Sequence, residues 1–292
     1  MNDSSVLFDA PGPRAVVRHR VYAVLTALAL LALVAWALLR LDEKGQLEYA
    51  LWEPFVTPEY VRAILEGLLD TLKMAFSSII GAVVFGLVFG VGKLSEQRWL
   101  RWPSWLVVEF FRAVPVLLMM IFLYFAYGLG KDATLTSYWC VVIALTVYNG
   151  AVLAEVFRAG VLAVPRGQAE AGYAVGMRKS QVMNLVLLPQ AVKIMLPSII
   201  SQCVVALKDT ALGYYILSPG LTFVGKQIYG EFQNQVPTAI VITAIYVIVN
   251  LILTAIATWV QKRIVGEKKA LTPAPFGITD AGTGDLQSGR QV

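Results

Sequence analysis

Charge is scarce in this sequence. Asp, Glu, Lys and Arg supply 15% of its 292 residues, where a soluble domain carries about a quarter. Metal-ligating side chains are scarcer still: one histidine, His19, and two cysteines, Cys140 and Cys203. Both cysteines lie inside apolar runs and read as small buried hydrophobes, with neither metal-ligand nor disulfide-framework spacing. His19 sits in a basic cluster with Arg14, Arg18 and Arg20, where its role is topological. There is no G-x-x-x-x-G-K-[ST] phosphate loop, no H-E-x-x-H and no G-x-S-x-G. Nothing here hydrolyses ATP, no cofactor or metal is implied, and energy for any work must come from another subunit or an ion gradient.

What the chain has in excess is apolar surface. Hydrophobic residues make up 58%, and the mean hydropathy is +0.67. This composition predicts an all-α integral membrane protein, because a span must satisfy its backbone hydrogen bonds internally. Six spans are expected, at about 21–41, 68–91, 105–129, 138–161, 189–218 and 238–260. The first is longer than a signal-peptide core of about 7–15 residues, so it reads as a retained span. Residues 42–65 form a linker after it. Within that linker, Thr57 as N-cap, Pro58 at the first helical position and Glu59 in the first turn start an amphipathic helix expected at the membrane surface and leading into the next span. Gly86 and Gly90, one turn apart in the second span, allow close approach of another helix. The tail from 264 onward is Pro/Gly-rich beyond Ala270 and is expected to be disordered.

The basic residues cluster beside the apolar runs, so the net charge of +5 points to membrane topology and not to nucleic acid. With six spans, the N-terminal residues 1–20, the loop 93–101, the segment 158–193 and residues 262–269 fall on one side. The positive-inside rule makes that side cytoplasmic, with both termini in it.

One cytoplasmic segment, EAGYAVGMRKSQVMNLVLLP at 170–189, is too long and too polar for a plain turn. Gly176 divides it, and two short helices joined by a glycine bend fit the pattern, since a tight reversal favours φ > 0. Periodicity alone also fits an interfacial hairpin on lipid headgroups. The small residues Ala169, Ala171, Gly172 and Ala174 argue for a close protein partner instead.

These residues carry a resemblance. Glu170, Ala171 and Gly172, then Gly176, Val186, Leu188 and Pro189 match the spacing of the EAA loop of ATP-binding-cassette (ABC) importer permeases. Further matches follow the polar amino-acid branch of that family: Gly67, Thr71 and Leu72; Phe111, Arg112 and Pro115; Ala154, Glu155, Arg158 and Gly160; and Lys208, Asp209 and Thr210. Gly172 and Val186 replace the usual Ala and Ile, and Ala113-Val114 replaces the usual Gly-Thr. The resemblance covers 66–263. It implies a type I ABC-importer (MetI-like) transmembrane domain, with 21–41 as an extra span. It implies that 168–189, through Glu170, Ala171, Gly172 and Gly176, docks a cytoplasmic ABC ATPase dimer. The implied partners are a second permease subunit, homologous or identical, and an extracytoplasmic amino-acid-binding protein, all at a bacterial inner membrane. The N-terminal LFDAPGPR and the extra span resemble glutamate-uptake permeases.

Polar residues at bilayer depth are the other candidates, because buried charges there face a cavity or a partner. Lys208 and Asp209, expected near the middle of the fifth span, suit a solute carboxylate and ammonium, and Thr210 adds a hydroxyl. A helix-packing ion pair fits them equally. Arg112 is a second cation on the substrate path. Glu109 with Arg112, and Glu155 with Arg158, are spaced i, i+3 and read as gate-forming or structural ion pairs. Asn149, Gln202 and Asn250 read as interhelical hydrogen-bonding residues. Two other readings stay open from the residues alone: an ion-coupled secondary transporter or channel subunit, and a membrane scaffold that recruits a partner through 168–189.

Overall fold

The computed structural model describes residues 13–128 and 133–265. The described regular structure is helical throughout: α1 (Pro13–Glu43), the short α2 (Tyr49–Trp52), α3 (Pro58–Leu94), α4 (Arg98–Ala113), α5 (Val116–Tyr127), α6 (Ala133–Leu162), α7 (Arg166–Ala174), the single turn α8 (Lys179–Gln181), α9 (Leu188–Asp209), α10 (Leu221–Phe232) and α11 (Gln235–Val265). Five helical segments are long and apolar enough to cross a bilayer, and α4 with α5 makes a sixth if the bent pair counts as one. The disorder expected of the C-terminal tail, and most of LFDAPGPR, lie outside the described residues.

Helices α3 and α6 form the buried centre. Gly86 and Gly90 face α6, as their spacing suggests. A β-carbon at Gly86 would stand 2.8 Å from Leu153 Cβ and 3.2 Å from the Gly150 carbonyl oxygen; one at Gly90 would stand 3.1 Å from the Ala154 carbonyl oxygen. Backbone approach, not φ, requires glycine here. A second tie joins α6 to α9, where Gln202 Nε2 donates to Asn149 Oδ1 at 2.6 Å.

The amphipathic stretch after Thr57 leads into the next span as the beginning of one continuous helix, α3. No Pro or Gly interrupts it between Pro58 and Gly67, so the helix runs on for 37 residues. At 1.5 Å per residue that is about 55 Å, well beyond the ~30 Å hydrocarbon core. Its apolar face covers α10 instead of lipid: Ile64 clusters with Leu221 and Ile228, and Tyr60 meets Phe232 edge-on at 5.0 Å. Thr57 has the extended backbone of an N-cap, but its side chain does not cap. Its hydroxyl donates to the Glu53 carbonyl at 3.0 Å. Thr71 fastens the start of α10: its hydroxyl donates to the Gly67 carbonyl and accepts from the Leu221 amide, both at 2.9 Å.

The expected span at 105–129 is broken, with α4 and α5 meeting at 97°. Pro115 is the cause. It has no amide hydrogen to donate, and it pushes Val114 into extended backbone (φ −82°, ψ 125°). The pair nevertheless advances antiparallel to α3. Ser104 lies against Gly92, the Phe111 ring is 6.3 Å from that of Phe85, and Met120 shares a core with Met74.

The fifth span is also composite. It leaves α8 through a π turn at Val182–Leu187, runs as α9 to Asp209, and tightens into a 3-10 helix at Thr210–Ile216. Leu217 closes it in the left-handed region, with φ 54°.

Candidate functional site

The segment around Gly176 is a helix, a glycine reversal and a helical return. Two hydrogen bonds close α7: Met177 N–H donates to the Gly172 carbonyl at 3.1 Å and Gly176 N–H to the Tyr173 carbonyl at 3.0 Å. This pairing is a Schellman closure, which needs a left-handed residue after the helix. Gly176 supplies it with φ +82°, and a β-carbon there would meet nothing within 4 Å. Glycine is therefore set by backbone conformation, not by space. The expected second short helix does not stand alone, because α8 and the π turn carry it straight into α9. Glu170 and Ala171 are exposed on α7. Gly172 is buried, and a β-carbon there would stand 2.9 Å from Val182 Cγ2. Its small size serves packing within the chain. Beside Glu170, the apolar side chains of Tyr173 (48% exposed) and Val175 (77% exposed) project outward.

An exposed ion pair joins Lys179 to Glu96 in the α3–α4 connection, placing both at one end of the bundle. The Lys179 hydrogen bond and charge hold the Glu96 carboxyl below its usual range. A depressed folded value means the tether is complete above the unfolded carboxyl pKa of ~4.3 and is lost as pH falls through the lower folded value. Glu96→Gln is expected to speed amide hydrogen exchange at 177–181 at pH 7 with no change in the α3–α6 core. Raising the salt to about 1 M should reproduce that effect in the unmodified protein.

At the same end, the two expected i, i+3 ion pairs are present. Arg112 Nη1 lies 3.3 Å from Glu109 Oε1, and Arg158 Nε 3.0 Å from Glu155 Oε2. Sequence reasoning missed Lys93, which joins them. Its ammonium contacts Glu155 and lies 3.3 Å from Glu109, with its side chain 6% exposed. The available signal was a lysine at the end of the apolar run, one residue before α3 stops. These charges line an open pocket of about 730 Å³ together with Arg101, Trp102 and Trp105.

Lys208 and Asp209 are the last two residues of α9, not mid-helix, and sit where the 3-10 turn begins. Neither has an ion-pair partner among the described residues. Lys208 is exposed and Asp209 half-buried. Lys208 lines a second open pocket, about 520 Å³, with Thr222, Thr243, Tyr246, Asn250 and Thr254 among its walls. Thr210 is buried and donates its hydroxyl to the Leu207 carbonyl at 2.7 Å. The Tyr246 phenol sits among the hydroxyls of Thr71, Thr210 and Thr222. Asn250 bonds within its own helix, donating to the Tyr246 carbonyl at 2.8 Å. Its Oδ1 is buried and has no hydrogen-bond donor among the described residues. The structure therefore separates the four expected substrate-path residues. Lys208, Asp209 and Thr210 share the end of α9, and Arg112 belongs to the Lys93 pocket.

Residues 59–266 match the family described as "Binding-protein-dependent transport system inner membrane component". The "Glutamate transport system permease protein GluD" of Corynebacterium glutamicum is 42% identical over 228 residues, covering 77% of this chain and 83% of that protein. The "Arginine transport system permease protein ArtQ" of Bacillus subtilis is 31% identical, covering 69% and 92%. Among solved structures, an amino acid ABC transporter crystallised with histidines superposes with a TM-score of 0.65 at 28% identity, over 70% of this chain and 95% of that one. The MetNI methionine ABC transporter shares the fold at TM-score 0.61 and 21% identity. The ion-coupled and scaffold readings fall with these matches. The chain belongs to the binding-protein-dependent transport family of inner membrane components, as a multi-pass permease subunit of an amino-acid ABC importer and not an enzyme.

Proposed function

We propose that this permease imports glutamate, with Lys208 facing a solute carboxylate and Asp209 receiving the ammonium. The observation that carries the reading is an exposed lysine, without an ion-pair partner among the described residues, in a membrane pocket of a chain 42% identical to a glutamate permease. A charge at that depth is costly unless a cavity or partner receives it. The exposed hydroxyl of Thr243 is on the same wall. A second permease subunit, identical or homologous, closes the open side of the pocket. The cytoplasmic ATPase docks on the face formed by Glu170, Ala171, Tyr173 and Val175, and an extracytoplasmic binding protein delivers the solute. Both termini are then cytoplasmic, which the basic clusters support.

The test is uptake into vesicles holding the full assembly, with labelled glutamate and unlabelled competitors. Glutamate should compete best. Better competition by arginine or glutamine would overturn the glutamate assignment. Asp209→Asn is expected to raise the apparent KM about tenfold or more, the equivalent of one charge-assisted hydrogen bond. An unchanged KM would remove Asp209 from the path.

A further inference from the structure

The pocket around Lys93 holds more positive charge than its carboxylates neutralise. Four cations, Lys93, Arg101, Arg112 and Arg158, face two anions, Glu109 and Glu155. Lys93 is enclosed by both carboxylates and is spent on them. Arg112 and Arg158 each hold one carboxylate that Lys93 also uses, and their side chains remain 41% and 38% exposed. Arg101 is exposed and makes no ion pair among the described residues. The rim is aromatic, with the Trp102 and Trp105 rings 6.2 Å apart and both largely exposed.

Position gives these features a meaning. Lys93 is one residue from the end of a membrane helix, and Arg101 and Trp102 lie in the first turns of α4 beside it. That places the pocket at the membrane–water boundary, at the end of the bundle that bears the coupling segment. Tryptophan concentrates at this depth, and basic pockets between transmembrane helices there receive anionic lipid headgroups. A single phosphate accepts from several guanidinium groups at once, which suits arginine better than lysine.

We propose that this pocket binds the phosphate of an anionic phospholipid, with Arg101 as its free anchor, Arg112 and Arg158 as flanking donors, and Trp102 and Trp105 holding the glycerol level. The Lys93–Glu109–Glu155 bridge forms the floor and sets the spacing of the arginines. The site requires only the multi-pass fold and is independent of which amino acid is carried.

The test uses the permease in nanodiscs of phosphatidylcholine, with and without phosphatidylglycerol. Native mass spectrometry should find phosphatidylglycerol retained in preference to phosphatidylcholine. Phosphatidylglycerol should also raise the thermal midpoint. Arg101→Gln is expected to weaken retention about fivefold, the worth of one basic residue at a charged surface. Arg101→Lys, which keeps the charge and loses the guanidinium fork, should recover only part of the loss. Arg101 has no carboxylate partner, so its removal strands no buried charge. Added inorganic phosphate and added glutamate are the control arms. Stabilisation by either one equal to that by phosphatidylglycerol would overturn the lipid assignment in favour of a free anion. Equal retention of the two lipids, or Arg101→Gln retaining phosphatidylglycerol as well as the unmodified protein, would overturn the site itself.

Discussion

Lys93→Met is expected to destabilise the permease by about 3 kcal/mol, more than the loss of any other single charge in its pocket. Lys93 is the ammonium shared by Glu155 on α6 and Glu109 on α4, so it fastens three helices at one point. Without it, Glu155, with its side chain 19% exposed, keeps only Arg158. Stranding one partner of a buried pair costs about 3–5 kcal/mol, and the surviving Arg158 contact places this case at the low end. The second exchange matters as much as the first. In Lys93→Met/Glu155→Gln the stranded charge is gone, and more than half of the lost stability should return, as a double-mutant cycle would measure. Thermal unfolding of the four proteins in one detergent tests this. Strictly additive losses would show that Lys93 and Glu155 act separately.

Gly176→Val is expected to reduce ATP-driven uptake to the level of vesicles lacking the ATPase, while leaving insertion and the α3–α6 core intact. The site is open, so the added side chain meets no neighbour. The effect comes from φ. A β-branched residue at +82° is a true outlier, and such strain costs about 1–3 kcal/mol. The segment escapes by giving up the two closing bonds of α7, which changes the angle between α7 and the return through α8. The proposed ATPase docking would depend on that angle, since driving a two-state equilibrium from about 1:99 to 99:1 takes roughly 5.5 kcal/mol of differential contact. Gly176→Asn should retain much of the uptake, because asparagine tolerates the left-handed region. A valine variant that transports normally would show that the turn carries no work.

The architecture was largely legible in the sequence because its signals are local. Apolar runs mark spans, glycines one turn apart mark backbone approach, and a glycine between short helical patterns marks a reversal. Gly86, Gly90 and Gly176 all lie where those patterns place them. What escaped depends on distance in the chain. Nothing local says that Lys93 will meet Glu155, 62 residues away, or that Asn250 will spend its amide inside its own helix. In the stretch after Thr57 the apolar face and its run into the second span are visible in the sequence, but the partner that face covers, α10, is not. The break at Pro115 was written in the sequence, but span length outweighed it, since 105–129 is long enough to cross straight.

The composite fifth span has a mechanical consequence. From Lys179 to Asp209 the chain is helical without interruption, about 45 Å of rod at 1.5 Å per residue. One end begins three residues after Gly176, and the other ends at Lys208 and Asp209. The π turn at Val182–Leu187 is the only change of pitch along it. Such a rod transmits torque better than it transmits bending. Neighbouring residues on a helix point about 100° apart, so Lys208 and Asp209 are opposite charges on adjoining quadrants of one shaft. Of the two, only Lys208 lines the pocket, so a twist imposed at the glycine end would swing its charge along the pocket wall.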